Sequence, residues 1–170
     1  MLLRPAMLSD VPAMLAIYNR EVLTSTATMD TEPIPPERYV TWFESHPAGR
    51  YPALVAVEPS RGTIAGWTCA SQWSPRKAYL RTAEDSVYVH ESFRGQGLGV
   101  QLLTALQQTT YDLGIRTLIA RIEESREASQ RLHARVGFQR AGVLRRVSEK
   151  FGRVLDVGLW ECHLDGANGA

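Results

Sequence analysis

The spacing of apolar and polar positions changes period repeatedly along the chain, and each change marks an element. Residues 2–6 suit a short strand. Ser9 or Asp10 can then cap a helix with Pro12 in its first turn, where a missing N–H costs nothing. Val11, Leu15 and Tyr18 fall on one side of it. Residues 24–36, rich in Thr, Ser and Pro, predict a loop, and a second helix from Pro36 presents Tyr39, Trp42 and Phe43. Two strand-like runs, 52–57 and 63–70, flank the turn signal E-P-S-R-G. After a polar loop over 72–80, residues 82–93 predict a strand feeding a glycine-rich loop. Leu98, Leu102, Leu106, Thr109 and Leu113 recur at helical spacing, and Gly114 is a natural stop. Residues 117–122 are almost continuously apolar, as in a strand covered on both faces. A helix over 127–136 ends at Gly137, and strands over 138–150 and 154–164 flank F-G-R. The order β-α-α-β-β-β-α-β-α-β-β predicts an α/β fold: a mixed sheet with helices on both faces.

Length and composition narrow the class. The 170 residues suit one domain over 1–164, with the small polar tail 165–170 expected to be disordered. A net charge of +1 gives no general electrostatic footprint for nucleic acid. The local cluster Arg145, Arg146, Lys150 and Arg153 reads as a solvated strand face. Cys69 and Cys162 sit apart in apolar surroundings, which suits buried small hydrophobes better than disulfide halves or nucleophiles. With no apolar stretch of membrane length and no basic-then-apolar leader, a cytoplasmic enzyme is expected, with no metal.

The chemistry concentrates in 86–100, S-V-Y-V-H-E-S-F-R-G-Q-G-L-G-V. Glycines let the main chain approach an anion closely, and the helix that follows aims free amides and its positive dipole end at the same point. A phosphate-bearing cofactor is therefore expected. A nucleoside-triphosphatase loop fails, because no Lys-Ser or Lys-Thr pair follows the glycines. A dinucleotide G-x-G-x-x-G fits Gly95 and Gly97 but meets Val100 in its third slot, with Glu123 as the acidic residue downstream. R-x-x-G-x-G is filled by Arg94, Gly97 and Gly99. A plain turn before a helix is the bland alternative.

R-x-x-G-x-G is the pyrophosphate motif of the GCN5-related N-acetyltransferases, which the whole element order resembles. S-T-A-T-M-D-T-E-P at 25–33, T-A-E-D-S-V-Y-V at 82–89, R-L-H-A-R-V-G-F at 131–138 and F-G-R-V-L-D-V-G at 151–158 further resemble the phosphinothricin and methionine-sulfoximine acetyltransferases. The resemblance implies acetyl-CoA as co-substrate, held by Arg94 and the amides of Gly95, Gln96, Gly97, Leu98, Gly99 and Val100. It also implies a splayed strand whose Val87, Tyr88 and Val89 backbone meets the pantetheine arm, with the Val89 N–H at the oxyanion. Arg126 stands where the family more often has Asn.

Transfer from a thioester to an amine through a tetrahedral intermediate needs a neutral amine and a proton for the departing thiolate. Glu84 aligns with the family's proposed general base, since a carboxylate in a partly dry cleft gains basicity. An exposed residue paired with Arg81 is the plainer reading of Glu84. Asp85 points to the other sheet face unless a bulge intervenes. His133 occupies the position of the superfamily's general acid, with a core histidine as the alternative. For the acceptor, the resemblance implies Met29, Arg76, Tyr79, Glu84, Asp85 and Ser86, with Arg76 as a carboxylate or phosphinate clamp. It implies a homodimer acting on a small amino acid or analogue, with no nucleic-acid or membrane partner. Other acceptors (a protein N-terminus, a polyamine, an aminoglycoside) and a non-catalytic acetyl-CoA sensor are the rival functions.

Overall fold

Five consecutive buried residues in the run Ala53–Glu58 (β2) can only be central in a sheet, since both faces of the pleat need cover. The computed structural model, which describes residues 1–46 and 49–164, supplies that cover. The elements are β1 Leu2–Pro5, α1 Val11–Thr24, α2 Pro36–Glu44, β2, β3 Thr63–Gln72, β4 Thr82–Val89, α3 Leu98–Asp112, β5 Thr117–Glu123, α4 Glu127–Arg135, β6 Gln139–Lys150 and β7 Arg153–His163. They follow the expected order and form a seven-stranded mixed sheet, β1-β2-β3-β4-β5-β7-β6. The tail expected over 165–170 lies outside the described residues. Among the described residues, no helix is long and apolar enough to cross a membrane.

Each face of the sheet carries its own core. On one, Val11, Met14, Leu15 and Ile17 of α1 and Tyr39 of α2 pack on Val55, Val57, Trp67 and Cys69. Trp67 is sealed there, and its indole N–H donates to the Met14 carbonyl at 3.1 Å, which satisfies the one polar atom burial would orphan. On the other face, Leu98 and Leu102 of α3 lie over Ala56 and Ala65, and Leu103 and Leu106 over Ala70, Ala83, Leu118 and Ile122. Small strand residues let the helix settle close to the sheet.

Three features depart from the sequence reading, each for a physical reason. First, β4 ends at Val89 rather than near 93. His90 turns the chain, its Nδ1 accepting the Ser92 N–H at 3.2 Å, and Glu91–Phe93 coil into a single 3-10 turn that redirects the glycine loop. Second, β5 is fully covered on one face only: Leu118, Ala120 and Ile122 are buried, while on the other face Thr117 and Ile119 are half-buried. Its Arg121 is exposed between buried neighbours. Third, β6 carries a bulge in which residues 145–147 oppose Asp156 alone, between the pairs Leu144↔Val157 and Ser148↔Leu155. Arg146 adopts φ 56° there, and its N–H donates to Asp156 Oδ1 at 2.7 Å.

The feature that positions everything else is the β4–β5 pair, the only parallel neighbours among the described strands. They pair only from Thr82↔Thr117 to Glu84↔Ile119 and then separate, while β4 stays paired to β3 through Val89. The His90 N–H donates to the Ala65 carbonyl of β3 at 2.9 Å. Backbone direction alternates along a strand, so Val87 and Val89 turn their amides into the gap.

Close approach of β3 to β4 sets that edge. A Cβ on Gly66 would stand 2.8 Å from the Tyr88 carbonyl oxygen and 3.3 Å from the Val89 Cα. Gly66→Ala is therefore expected to lower stability by about 2 kcal/mol, read as a reduced urea midpoint, and to accelerate hydrogen exchange at Val89. An unchanged midpoint would show that the strands can part at no cost.

Candidate active site

Where β4 and β5 separate, a cleft of about 1170 Å³ opens through the sheet. One wall of it is the glycine loop. Gly95 and Gly97 hold φ +74° and +77°, a left-handed conformation that strains any other residue, and an added Cβ at either would meet open space. The first amides of α3, from Leu98 to Val100, have no intrahelical acceptor and point out of the helix end. An anion such as a diphosphate fits this cradle. Gly99 serves packing instead, since its Cβ would come within 2.9 Å of Leu132, and its absence lets α3 and α4 touch. Gln96 folds its side chain back to the Ser92 carbonyl at 3.3 Å, leaving its backbone amide to the loop.

Arg94 is part of this wall by way of a strut. Its Nε donates to the Val89 carbonyl at 3.0 Å, and its Nη2 pairs with the buried Glu21 of α1. Arg126, which opens α4, places Nη2 4.0 Å from the same Glu21 carboxylate. One sealed anion therefore collects both cations at the glycine-loop end of the cleft.

Alternation along β4 separates the two carboxylates that the sequence set side by side. Asp85 faces α3 and α4, where it is buried beside His133, with Oδ2 3.1 Å from Nε2. His133 Nδ1 donates to the Ser129 carbonyl at 2.8 Å. Burial opposes the imidazolium, but the Asp85 hydrogen bond and charge and the Ser129 carbonyl outweigh it, leaving His133 above the ordinary histidine value. Asp85 Oδ1 is buried and has no hydrogen-bond partner among the described residues.

Glu84 and Ser86 face the other way, toward α1 and the loop that follows it. Arg81 is not the partner of Glu84. Arg121 holds both its oxygens, Nε to Oε1 at 2.6 Å and Nη2 to Oε2 at 2.9 Å.

The loop after α1 forms the opposite wall of the cleft and is tied at three points. Tyr18 Oη meets Thr28 Oγ1 at 2.7 Å and donates to Asp30 Oδ2 at 2.6 Å. Thr26 Oγ1 donates to Glu123 Oε2 at 2.6 Å. Lys150 Nζ donates to the Thr28 carbonyl at 2.8 Å. Lys150 is thus buried rather than on the solvated face expected of its cluster, and desolvation holds its ammonium below the usual lysine range, against Asp30 and Glu21. The Glu123 carboxylate is occupied by Thr26 and Ser125, which leaves the ribose role of a dinucleotide fingerprint without a ligand. Met29 projects from this loop, 39% exposed, into a cleft also lined by Leu144, Val147 and Ser148 of the bulge. Arg76 and Tyr79 lie outside this cleft, on the exposed segment between β3 and β4.

Cys69 is buried, and burial pushes its thiol up to about 12, so it is no nucleophile at neutral pH. Glu21, Arg121 and Lys150 had no local signature, because each acts through a partner brought in from a distant part of the chain.

Residues 14–138 match the acetyltransferase (GNAT) family. An L-methionine sulfoximine/L-methionine sulfone acetyltransferase of Pseudomonas aeruginosa is 38% identical, over 99% of this chain and 97% of the relative. A phosphinothricin N-acetyltransferase of Streptomyces coelicolor is 36% identical over 93% of each chain. Among solved structures, a phosphinothricin acetyltransferase of Sinorhizobium meliloti in complex with acetyl-CoA superposes with a TM-score of 0.92 at 31% identity, covering 99% of this chain and 91% of that one.

Two outcomes follow from the geometry. The raised His133 stabilises the fold fully below its unfolded value, about 6.5, and that contribution is lost as pH rises through the folded value. Asp85→Asn should therefore cost about 3 kcal/mol in denaturant unfolding at pH 6, and the deficit should shrink toward pH 9. A pH-independent deficit would mean that His133 is neutral in the fold. Gly97→Val, which both fills the cradle and violates its φ, should abolish acetyl-CoA binding in calorimetry. Retained affinity would place the diphosphate elsewhere.

Proposed function

The chain belongs to the acetyltransferase (GNAT) family, and on that footing we propose that it acetylates the α-amino group of a small anionic amino acid or analogue, of the methionine sulfoximine or phosphinothricin kind. It is an acetyl-CoA-dependent N-acetyltransferase. The observation that carries the finer reading is the open edge of β4, which puts a free backbone edge, an anion cradle and Glu84 along one cleft.

When bound, acetyl-CoA supplies an acetyl group already activated as a thioester. Gly95 to Val100 offer backbone amides to its diphosphate, with Arg94 and Arg126 adding positive charge from their posts on Glu21. Val87 and Val89 offer strand backbone to the pantetheine amides beside Tyr88, and the Val89 N–H lies where an oxyanion would form. Glu84, on the acceptor side, takes the proton of the incoming ammonium directly or through water. The imidazolium of His133, paired with Asp85, is the proton reserve for the thiolate on the other side of the sheet. Holding both reactants across one gap supplies roughly 7–11 kcal/mol of the barrier lowering, and these groups supply the rest. Ser86 and Met29 shape the space around the acceptor.

A homodimer accounts for two features together. Leu144, Val147, Phe151 and Val154 expose 41–56% of their surface on β6, β7 and the turn between them. Arg76 and Tyr79, outside the cleft of their own chain, are free to serve a neighbour's acceptor. The free thiols Cys69 and Cys162 agree with a cytoplasmic setting.

Free-thiol release from acetyl-CoA, measured against methionine sulfoximine, methionine sulfone, phosphinothricin, common amino acids, a polyamine and an aminoglycoside, tests this reading. Turnover should be confined to the amino acids and their anionic analogues; turnover of the cationic amines instead would discard it. Glu84→Gln should lower kcat by roughly 100-fold or more while acetyl-CoA affinity holds. Equal loss of both would remove Glu84 from the base role.

A further inference from the structure

Arg121 brings to the cleft a charge that no motif announced. It sits on β5 just past the last rung shared with β4, on the less covered face of that strand. Glu84 grips one edge of its guanidinium, through Nε and Nη2. A guanidinium has a second edge, between Nη1 and Nη2, of the same bidentate shape. Nη1 makes no hydrogen bond among the described residues, and the side chain is 56% exposed where it lines the cleft. A planar group clamped along one edge has the direction of its other edge fixed, so this donor pair is already oriented.

The other cations at the cleft are committed or lie elsewhere. Arg94 holds Val89 and Glu21, Arg126 stands beside Glu21, and Lys150 is sealed against the Thr28 carbonyl. Arg131 pairs with Glu127, and Arg135 closes α4 on the opposite side of the sheet. On the acceptor side this leaves Glu84 and Arg121 next to one another, one anion and one cation. An α-amino acid carries the complementary pair, an ammonium and a carboxylate, on a single carbon.

We propose that the Glu84–Arg121 pair is the receptor for these two groups: Arg121 takes the acceptor's α-carboxylate on its open edge while Glu84 faces the ammonium. The inference rests on the acetyl-transfer reading above and deepens it. Arg121 thereby makes the enzyme selective for α-amino acids over plain amines, and Arg76 is left to the distal head of the acceptor. The pair is built from strands that pair only at their starts, so it exists only where the gap begins.

The test compares methionine sulfone with the amine that differs from it only in lacking the carboxylate. For wild-type enzyme, kcat/KM should strongly favour the sulfone. In Arg121→Gln that preference should fall roughly 100-fold, through KM for the amino acid, on top of whatever common change in kcat the loss of Glu84's partner brings to acid and amine alike. Arg121→Lys, which keeps the charge but not the fork, should recover only part of the preference. Acetyl-CoA affinity and melting temperature of the variants should match wild type, since the side chain is exposed and on the acceptor side. Equal losses on acid and amine would make Arg121 a mere support for Glu84 and overturn the inference, as would an unchanged preference. Wild-type enzyme that acetylates no amino acid would instead overturn the acceptor reading itself, and the inference with it.

Discussion

Two parallel strands that stop pairing part of the way along leave backbone donors and acceptors facing empty space, and the rest of this molecule is organised around that gap. Unpaired amides in a protein interior are costly unless something meets them. Here the demand becomes a binding surface. The Arg94 strut satisfies the Val89 carbonyl, and the remaining groups of Val87 and Val89 stay available to a ligand that can act as a strand. Gly66 lets β3 hold the far side of β4 closely, and the 3-10 turn carries the chain from the open edge to the glycine loop.

The gap also divides labour between the faces of the sheet. Asp85 and His133 form a sealed, hydrogen-bonded pair on the α3–α4 side, and Glu84 with Arg121 forms a wetter pair on the α1 side. Adjacent carboxylates on one strand thus stand in different media, and strand geometry alone separates them. Removing either partner of the sealed pair would leave the other buried without its counter-charge. The wetter pair contributes little to stability and can exchange partners at small cost. Glu21 plays a third part, joining the helix that leads into one wall to the cations at the other. The two walls of the cleft are thereby tied to one carboxylate.

Much of this was readable in the sequence because much of it is local. The glycine loop declares itself through spacing, and the strands and helices through their periods, so the element order came through with boundaries off by a few residues. What escaped were pairs made at long range. Arg121 and Glu84 lie 37 residues apart, Arg94 and Glu21 73, and Lys150 and Thr28 122. No window along the chain contains both members, so no local spacing links them. The apolar run of β5 misled for a related reason: periodicity reports which residues avoid water, but not how fully each face of the strand is covered. Arg76 shows the converse, since a loop matched by motif turned out to lie away from the cleft of its own chain.

The bulge in β6 has a consequence for how such a chain can change over time. An insertion or deletion in a regular strand slips the register and turns every later side chain to the wrong face. Where three residues already oppose one, a change of length is absorbed inside the bulge, and the pairing of Ser148 to Lys150 with β7 survives. That bulge lines the acceptor side and takes no part in the anion cradle. The chain can thus vary in length at the wall that meets the acceptor while β4 and its backbone edge keep their geometry, so descendants of one transfer machine could acquire new acceptors one residue at a time.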